Sequence, residues 1–190
     1  MNKISLTLLQ SSLVALCLNA SVLAGEVIMF DYPPSAGEMG NILFSNKTPR
    51  PEIKTRSIAF SKVKTVIDQP LKQRIENADS VGLPIKFSFN SAGIREESRP
   101  FLDEVGKMMT LEKFSQEKLL VEGHTDASGP EQYNFYLSEK RAKAVKSYLL
   151  KNHKISANRL SIAAQGETSP LPEKDPFAAI NRRVQFYQAH

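Results

Sequence analysis

Cysteine is almost missing from this chain of 190 residues: Cys17 is the only one. It sits in the apolar N-terminal segment, so a chain that loses this segment has no thiol, no disulfide and no cysteine for a closed zinc site. Stability must then come from a packed core. Histidine is also scarce, with His124, His153 and the terminal His190, too few and too scattered for a metal hydrolase. No G-x-S-x-G elbow or similar nucleophile setting occurs, and there is no internal repeat or low-complexity tract. The chain therefore reads as a non-enzymatic one, with no cofactor and no metal site.

Apolar residues make up 41% of the sequence, enough for one core but not for two full domains. Basic residues number 25 against 20 acidic ones, a net charge of +5. So mild a bias identifies no partner. Without an aromatic platform beside the basic residues, nucleic-acid binding is not expected.

Lys3 precedes an apolar run from Ile4 to Ala20 that is interrupted by Gln10, Ser11, Ser12 and Asn19 and closes on Val22-Leu23-Ala24. Residues 1–24 read as a secretory signal cleaved after Ala24. The interruptions leave less than the roughly 20 apolar residues that a spanning helix needs, so no transmembrane span is expected in the mature chain. Leu16, rather than a small residue, precedes Cys17, which argues against a lipid anchor. Export of such a chain points to a bacterial periplasm.

Residues 25–82 hold Pro33, Pro34, Pro49, Pro51 and Pro70 with no sustained period, and read as an arm or linker. Lys47, Arg50, Lys54, Arg56, Lys62, Lys64, Lys72 and Arg74 face only Glu52 and Asp68 there. This is a solvated tether or a docking element for an envelope partner or anionic surface. Residues 57–67 offer one short candidate strand.

From residue 83 the pattern sharpens. Residues 85–90, IKFSFN, alternate as a half-buried strand does. Ser98 is placed to cap a helix with Pro100 in its first turn, continuing through about Lys113 on Leu102, Val105 and Met109. Residues 118–124 form a second strand, and residues 137–153 a helix striped by Leu137, Ala144, Val145, Tyr148 and Leu149. Strands follow at 158–167 and 181–188; in the last, Arg182, Val184 and Phe186 share one face, and Arg183, Gln185 and Tyr187 the other. The order βαβαββ predicts an α+β domain over 83–190: a small mixed sheet of about four strands with two main helices on one face.

The second strand delivers the chain to GHTDASG, residues 123–129. Glu122 and Asp126 lack the cleft that paired catalytic carboxylates need, and His124 reads as an ordinary strand-end histidine. If residues 130–141 were one helix, Arg141 would lie some 15 to 20 Å from the turn, too far to share a small ligand with Asp126. Ser138 instead fits an N-cap after a short piece from Pro130 to Phe135, which puts Arg141 in a first turn. An arginine at a positive helix end is what an anion site looks like. Asp126 and Arg141 would together offer a carboxylate for an ammonium and a guanidinium for a carboxylate, the complement of a zwitterion such as the free end of a diamino acid. A surface salt bridge between the two, worth about 0 to 1 kcal/mol, is the alternative, and these residues alone leave both open.

Thr125-Asp126, Gly129, Asn134, Leu137-Ser138, Arg141-Ala142, Val145 and Tyr148-Leu149 are followed by Asn158-Arg159-Leu160, Gly166-Glu167, Pro170 and Asn181-Arg182-Arg183-Val184. With the strand FSFNSAGI these resemble the OmpA-like peptidoglycan-binding domain over about residues 83–188. Asn90, Lys140 and Ala164 stand where the family commonly has aspartate, arginine and glycine. The resemblance implies non-covalent binding of peptidoglycan, with Asp126 and Arg141 holding the ammonium and carboxylate of the diaminopimelate in its peptide stem. It also makes Thr125, Asn134, Asn90 and one of Arg182 and Arg183 pocket candidates. Asn134 serves equally well as a tie for the loop, Arg183 as a solvated strand residue, and Arg182 as a buried partner of a carboxylate. The region before residue 83 is too short for the membrane barrel that some members carry. What is expected is a periplasmic wall binder, open to association with the outer membrane; the second reading is an adaptor docking an envelope complex through residues 25–82.

Overall fold

The computed structural model describes residues 27–44, 80–171 and 174–189. The expected signal segment, the basic cluster of residues 47–74 and the candidate strand at 57–67 lie outside the described residues. One sheet carries five strands: β1 (Val27–Met29), β2 (Ser80–Leu83), β3 (Lys118–His124), β4 (Leu160–Gly166) and β5 (Val184–Ala189), in the order β1-β2-β5-β3-β4. The β1–β2 and β3–β4 pairs are parallel, while β5 runs antiparallel to both β2 and β3. The helices α1 (Ala36–Phe44), α2 (Arg99–Thr110) and α3 (Glu131–His153) cover one face.

Period-two alternation on the strands decides which side chains meet the helices. Val81, Leu83, Leu119, Val121, Val184 and Phe186 are buried together with Leu102, Val105, Met108 and Met109 of α2 and Ala142, Val145 and Leu149 of α3. The three- and four-residue spacing on both helices gives each one apolar face. Between them, Asp103 of α2 accepts from Tyr148 Oη (2.8 Å) and lies 3.0 Å from His153 Nε2. Partial burial, then this hydrogen bond, pushes the Tyr148 phenol up to about 12.

From residue 80 onward the first strand is Ser80–Leu83, not residues 85–90. Pro84 has no N–H to continue the ladder, and beyond it the chain folds into its own hairpin. Phe87 bridges Ile94, Ser88 N donates to Gly93 O (2.9 Å), and Asn90 turns the tip at φ 51. The alternation there still has meaning, since Ile85 is buried and Phe87 packs on the core, but Phe89 is 99% exposed at the tip.

A second correction concerns α3, which runs unbroken from Glu131, with Pro130 as its extended N-cap (φ −69, ψ 139). Ser138 caps nothing. Its hydroxyl donates to Phe135 O (2.7 Å) and accepts from Gly166 N (3.0 Å), so it bonds inside the helix and to the end of β4.

A third concerns the arm. Residues 27–44 belong to the folded unit: β1 extends the sheet beyond β2, and Met39 and Leu43 of α1 are fully or almost fully buried in the core. Ser35 starts α1, its Oγ accepting from Glu38 N (3.3 Å). At Gly40 an added Cβ would fall 1.9 Å from the Phe114 ring, so the helix can lie this close only without a side chain there.

Replacing Met39 with Ala is expected to cost about 2 to 5 kcal/mol, as for other large buried apolar residues, read from the urea midpoint at unchanged m-value. A loss within about 0.5 kcal/mol, the usual size for a surface change, would return residues 27–44 to the status of a linker.

Candidate functional site

β3 ends in a register shift at Gly123/His124. There it approaches α3 so closely that a Cβ on Gly123 would lie 2.3 Å from the Ser138 carbonyl oxygen. The loop that follows is tied on every side. Thr125 N donates to Gly166 O (2.8 Å), Ala127 N to Pro176 O (3.0 Å), and Ser128 N to Asp126 Oδ1 (3.2 Å), an Asx turn. Asn134, buried in the first turn of α3, shares its amide among Asp126 O (3.2 Å), Ser128 O (3.3 Å) and the Glu167 carboxylate. It is the tie that holds the loop.

The direct partner of Asp126 is Arg182, whose Nη1 contacts Oδ2. The Asp126 side chain is 9% exposed and that of Arg182 49%. Arg182 is delivered by a turn that the buried Asn181 fastens: Asn181 Oδ1 accepts from Leu171 N (2.9 Å), and its amide donates to Asp175 O (2.8 Å). In the sequence Phe87 stands out only as an apolar strand position, and Asn181 and Glu167 only as part of the family-like pattern.

Arg141 does not touch Asp126. Its guanidinium stacks over the Phe87 ring at 4.9 Å from the centroid, and Nε donates to Ser91 O (3.4 Å). Because Asn134 holds Asp126 beside the start of α3, the remaining separation along the helix is seven residues, about 10 Å. Helical side chains lean toward the N-terminus and shorten it further. The unbroken helix therefore leaves Arg141 in the field of the loop. Burial lowers its pKa, Tyr133 and Asp126 support its charge, and Arg182 opposes it. No carboxylate pairs with it among the described residues.

The other pocket candidates separate. Thr125 is buried, and its hydroxyl has no hydrogen-bond partner among the described residues. Asn90 is exposed at the hairpin tip. Arg183 is buried rather than solvated, and burial pulls its pKa down to about 10. Its neighbour Arg182 is the carboxylate partner, yet half exposed.

Arg183 belongs to a polar layer on the sheet face away from the helices. Arg183 Nε donates to Gln185 Oε1 (2.8 Å), Gln185 Nε2 to Tyr187 Oη (2.7 Å) and Ser80 Oγ (2.8 Å), and Tyr187 Oη to Glu122 Oε1 (3.0 Å). Glu122 also faces His124 Nε2 (3.0 Å) and accepts from Gln165 Nε2 (3.1 Å). Burial alone would raise the Glu122 pKa, but these donors outweigh it and hold the carboxyl below its ordinary value. At His124 burial prevails and lowers the imidazole pKa against the pull of Glu122. Tyr187 is pushed upward by burial and by Glu122.

Residues 86–183 match the family model described as the OmpA family. The chain belongs to this family. It is 33% identical over 107 residues to outer membrane porin F of Pseudomonas aeruginosa, covering 55% of this chain and 30% of that protein. It is 29% identical over 110 residues to a peptidoglycan-associated lipoprotein of Buchnera aphidicola, covering 56% and 62%. The chain thus spans less than two thirds of these relatives. Among solved structures, the OmpA-like domain of FopA1 from Francisella tularensis superposes with a TM-score of 0.50 at 20% identity, covering 58% of this chain and 71% of that one. The α+β sheet-and-helix architecture of this OmpA-family domain is the one expected, with a fifth strand and a third helix added by residues 27–44.

The polar layer makes stability depend on pH. In the unfolded chain His124 takes up its proton near 6.5 and Glu122 near 4.5, whereas the folded protein resists both. Acidification below about pH 6.5 therefore favours unfolding. The melting temperature is expected to fall between pH 7 and pH 5. In His124→Asn, which has no titrating group there, the fall should be shallower between pH 6.5 and 5.5. Parallel profiles for the two proteins would contradict this.

Proposed function

We propose that this domain binds peptidoglycan reversibly and without catalysis, gripping the zwitterionic end of a diaminopimelate in the peptide stem. The observation that carries this reading is Arg141. It is a half-buried guanidinium, held in place by Phe87 and Ser91, with Asp126 close by and no carboxylate partner of its own among the described residues. Withdrawing a cation from water without an anion is costly, and a ligand carboxylate would supply one in the bidentate geometry that guanidinium favours.

Asp126 would receive the ligand ammonium on the carboxylate that Arg182 now faces. Arg182, half exposed, has room to turn toward the ligand carboxylate beside Arg141. The buried Thr125 hydroxyl is a further donor at the same loop. A relative that is itself a peptidoglycan-associated lipoprotein supports the polymer as the target. Among the described residues no helix is long and apolar enough to cross a membrane. The N-terminal signal pattern supports export to the periplasm, where the polymer lies.

Asp126→Ala and Arg141→Ala are each expected to lower binding to purified sacculi at least tenfold, a loss of about 1.4 kcal/mol or more, with the thermal transition retained. A soluble stem peptide with lysine in place of diaminopimelate lacks the terminal carboxylate and should bind as weakly to the wild type. Wild-type retention of sacculi by both variants would overturn the proposal.

A further inference from the structure

The loop site continues along the surface into a groove of about 430 Å³ between the hairpin of residues 88–93 and the first turns of α3. Asn90, Ser91 and Gly93 form one wall, and Tyr133, Tyr136 and Lys140 the other. Site and groove share a boundary, because Ser91, which lines the groove, accepts the Arg141 Nε hydrogen bond through its carbonyl.

Lys140 is the one charged side chain among the described residues lining the groove. Its ammonium lies 4.3 Å from the centroid of the Tyr136 ring, an attraction that holds it against the groove wall instead of letting it sweep through solvent. No carboxylate pairs with it among the described residues. Two other lysines of α3 are engaged: Lys143 with Glu139 (2.6 Å), and Lys146 with Leu160 O (2.5 Å). Of the cations Lys140, Arg141 and Arg182, Arg182 alone has a carboxylate partner among the described residues, Asp126. A zwitterion seated on Asp126 and Arg141 brings one carboxylate, so its docking leaves Lys140 without a counter-ion.

We propose that the groove is a second anion subsite, taking the free α-carboxylate of the γ-linked glutamyl residue next to the diamino acid in the stem, with Lys140 as counter-ion and Tyr133 and Tyr136 as walls. This inference rests on the reading of Asp126 and Arg141 as the diaminopimelate site. A carboxylate is favoured over a sugar ring because the tyrosine faces are not both free: the Lys140 ammonium occupies one face of Tyr136.

The test is calorimetric titration of the full chain with two soluble stem peptides, both carrying diaminopimelate, one with the glutamyl α-carboxylate free and one with it amidated. The wild type should prefer the free acid by about three- to fivefold, the range of a partly exposed ion pair, and the preference should shrink as salt rises. Lys140→Gln should bind both peptides as weakly as the wild type binds the amide, and Asp126→Ala should lose both. Equal wild-type binding of the two peptides, or a preference kept by Lys140→Gln, overturns the subsite while leaving the diaminopimelate reading intact. Failure of the wild type to bind either peptide overturns both. A preference for a disaccharide-bearing peptide that vanishes in Tyr136→Ala, with no response to amidation, would give the groove to the glycan instead.

Discussion

The Ser138 carbonyl lies where a side chain on Gly123 would be, and the candidate site depends on that approach. Only a glycine lets β3 come so near the helix axis, and the same serine reaches across to the end of β4 through Gly166 N. Gly166 itself has φ 55, and a Cβ there would meet the Phe135 backbone at 2.9 Å. Two strand ends are thereby pressed onto the first turns of α3. The loop from Thr125 to Pro130 has no choice but to fold over the start of the helix, where Asn134 secures it.

This contact explains what was legible in the sequence and what was not. Strand β3 is legible to the residue because its apolar run, Leu119 to Val121, is bounded by Lys118 on one side and by Gly123 and the turn residues after His124 on the other. Ser138 misled because a serine two-thirds of the way from a proline to an arginine looks like a cap, whereas its hydroxyl bonds to the preceding turn of its own helix. The strand at 80–83 is masked in the sequence because Ser80 and Gly82 dilute its pattern, while the louder alternation of residues 85–90 belongs to a hairpin. Residues 36–44 follow Pro33 and Pro34 and hold Gly37 and Gly40, which dilute the helical period, yet Gly40 is there to admit Phe114. The expected break in the helix is absent, and Arg141 comes within the electrostatic reach of Asp126 along an unbroken one. The partner that touches Asp126 is Arg182, visible in sequence only as one of two adjacent arginines.

Those two arginines show how one backbone step divides two tasks. Arg182 sits in a tight turn (φ −78, ψ 79) closed by Arg183 N donating to Asn181 O (3.0 Å), so it reaches outward to the Asp126 carboxylate just before Arg183 turns into the polar layer with Gln185. The layer is expensive to bury, and its cost is offset because nearly every group donates or accepts along the path from Arg183 through Gln185 and Tyr187 to Glu122. Since Glu122 and His124 are on β3 and Gln165 on β4, the layer also fixes the two strands from which the loop departs.

An unbroken helix is a better platform for Arg141 than the broken one expected from sequence. At a helix start the side chain would lean on the positive dipole end and on backbone that frays. In the interior the backbone is fixed by its own hydrogen bonds, and Phe87 and Ser91 restrict the side chain from the facing hairpin. Ordering a long side chain on binding costs about 0.5 to 1.5 kcal/mol. A guanidinium already stacked and hydrogen-bonded has surrendered much of that freedom during folding, so a ligand carboxylate that meets it loses little to ordering. The burial that depresses the Arg141 pKa and the preorganisation that would favour an anion are thus two consequences of one placement: a helix interior covered by the hairpin, reached by the loop because β3 lies against Ser138.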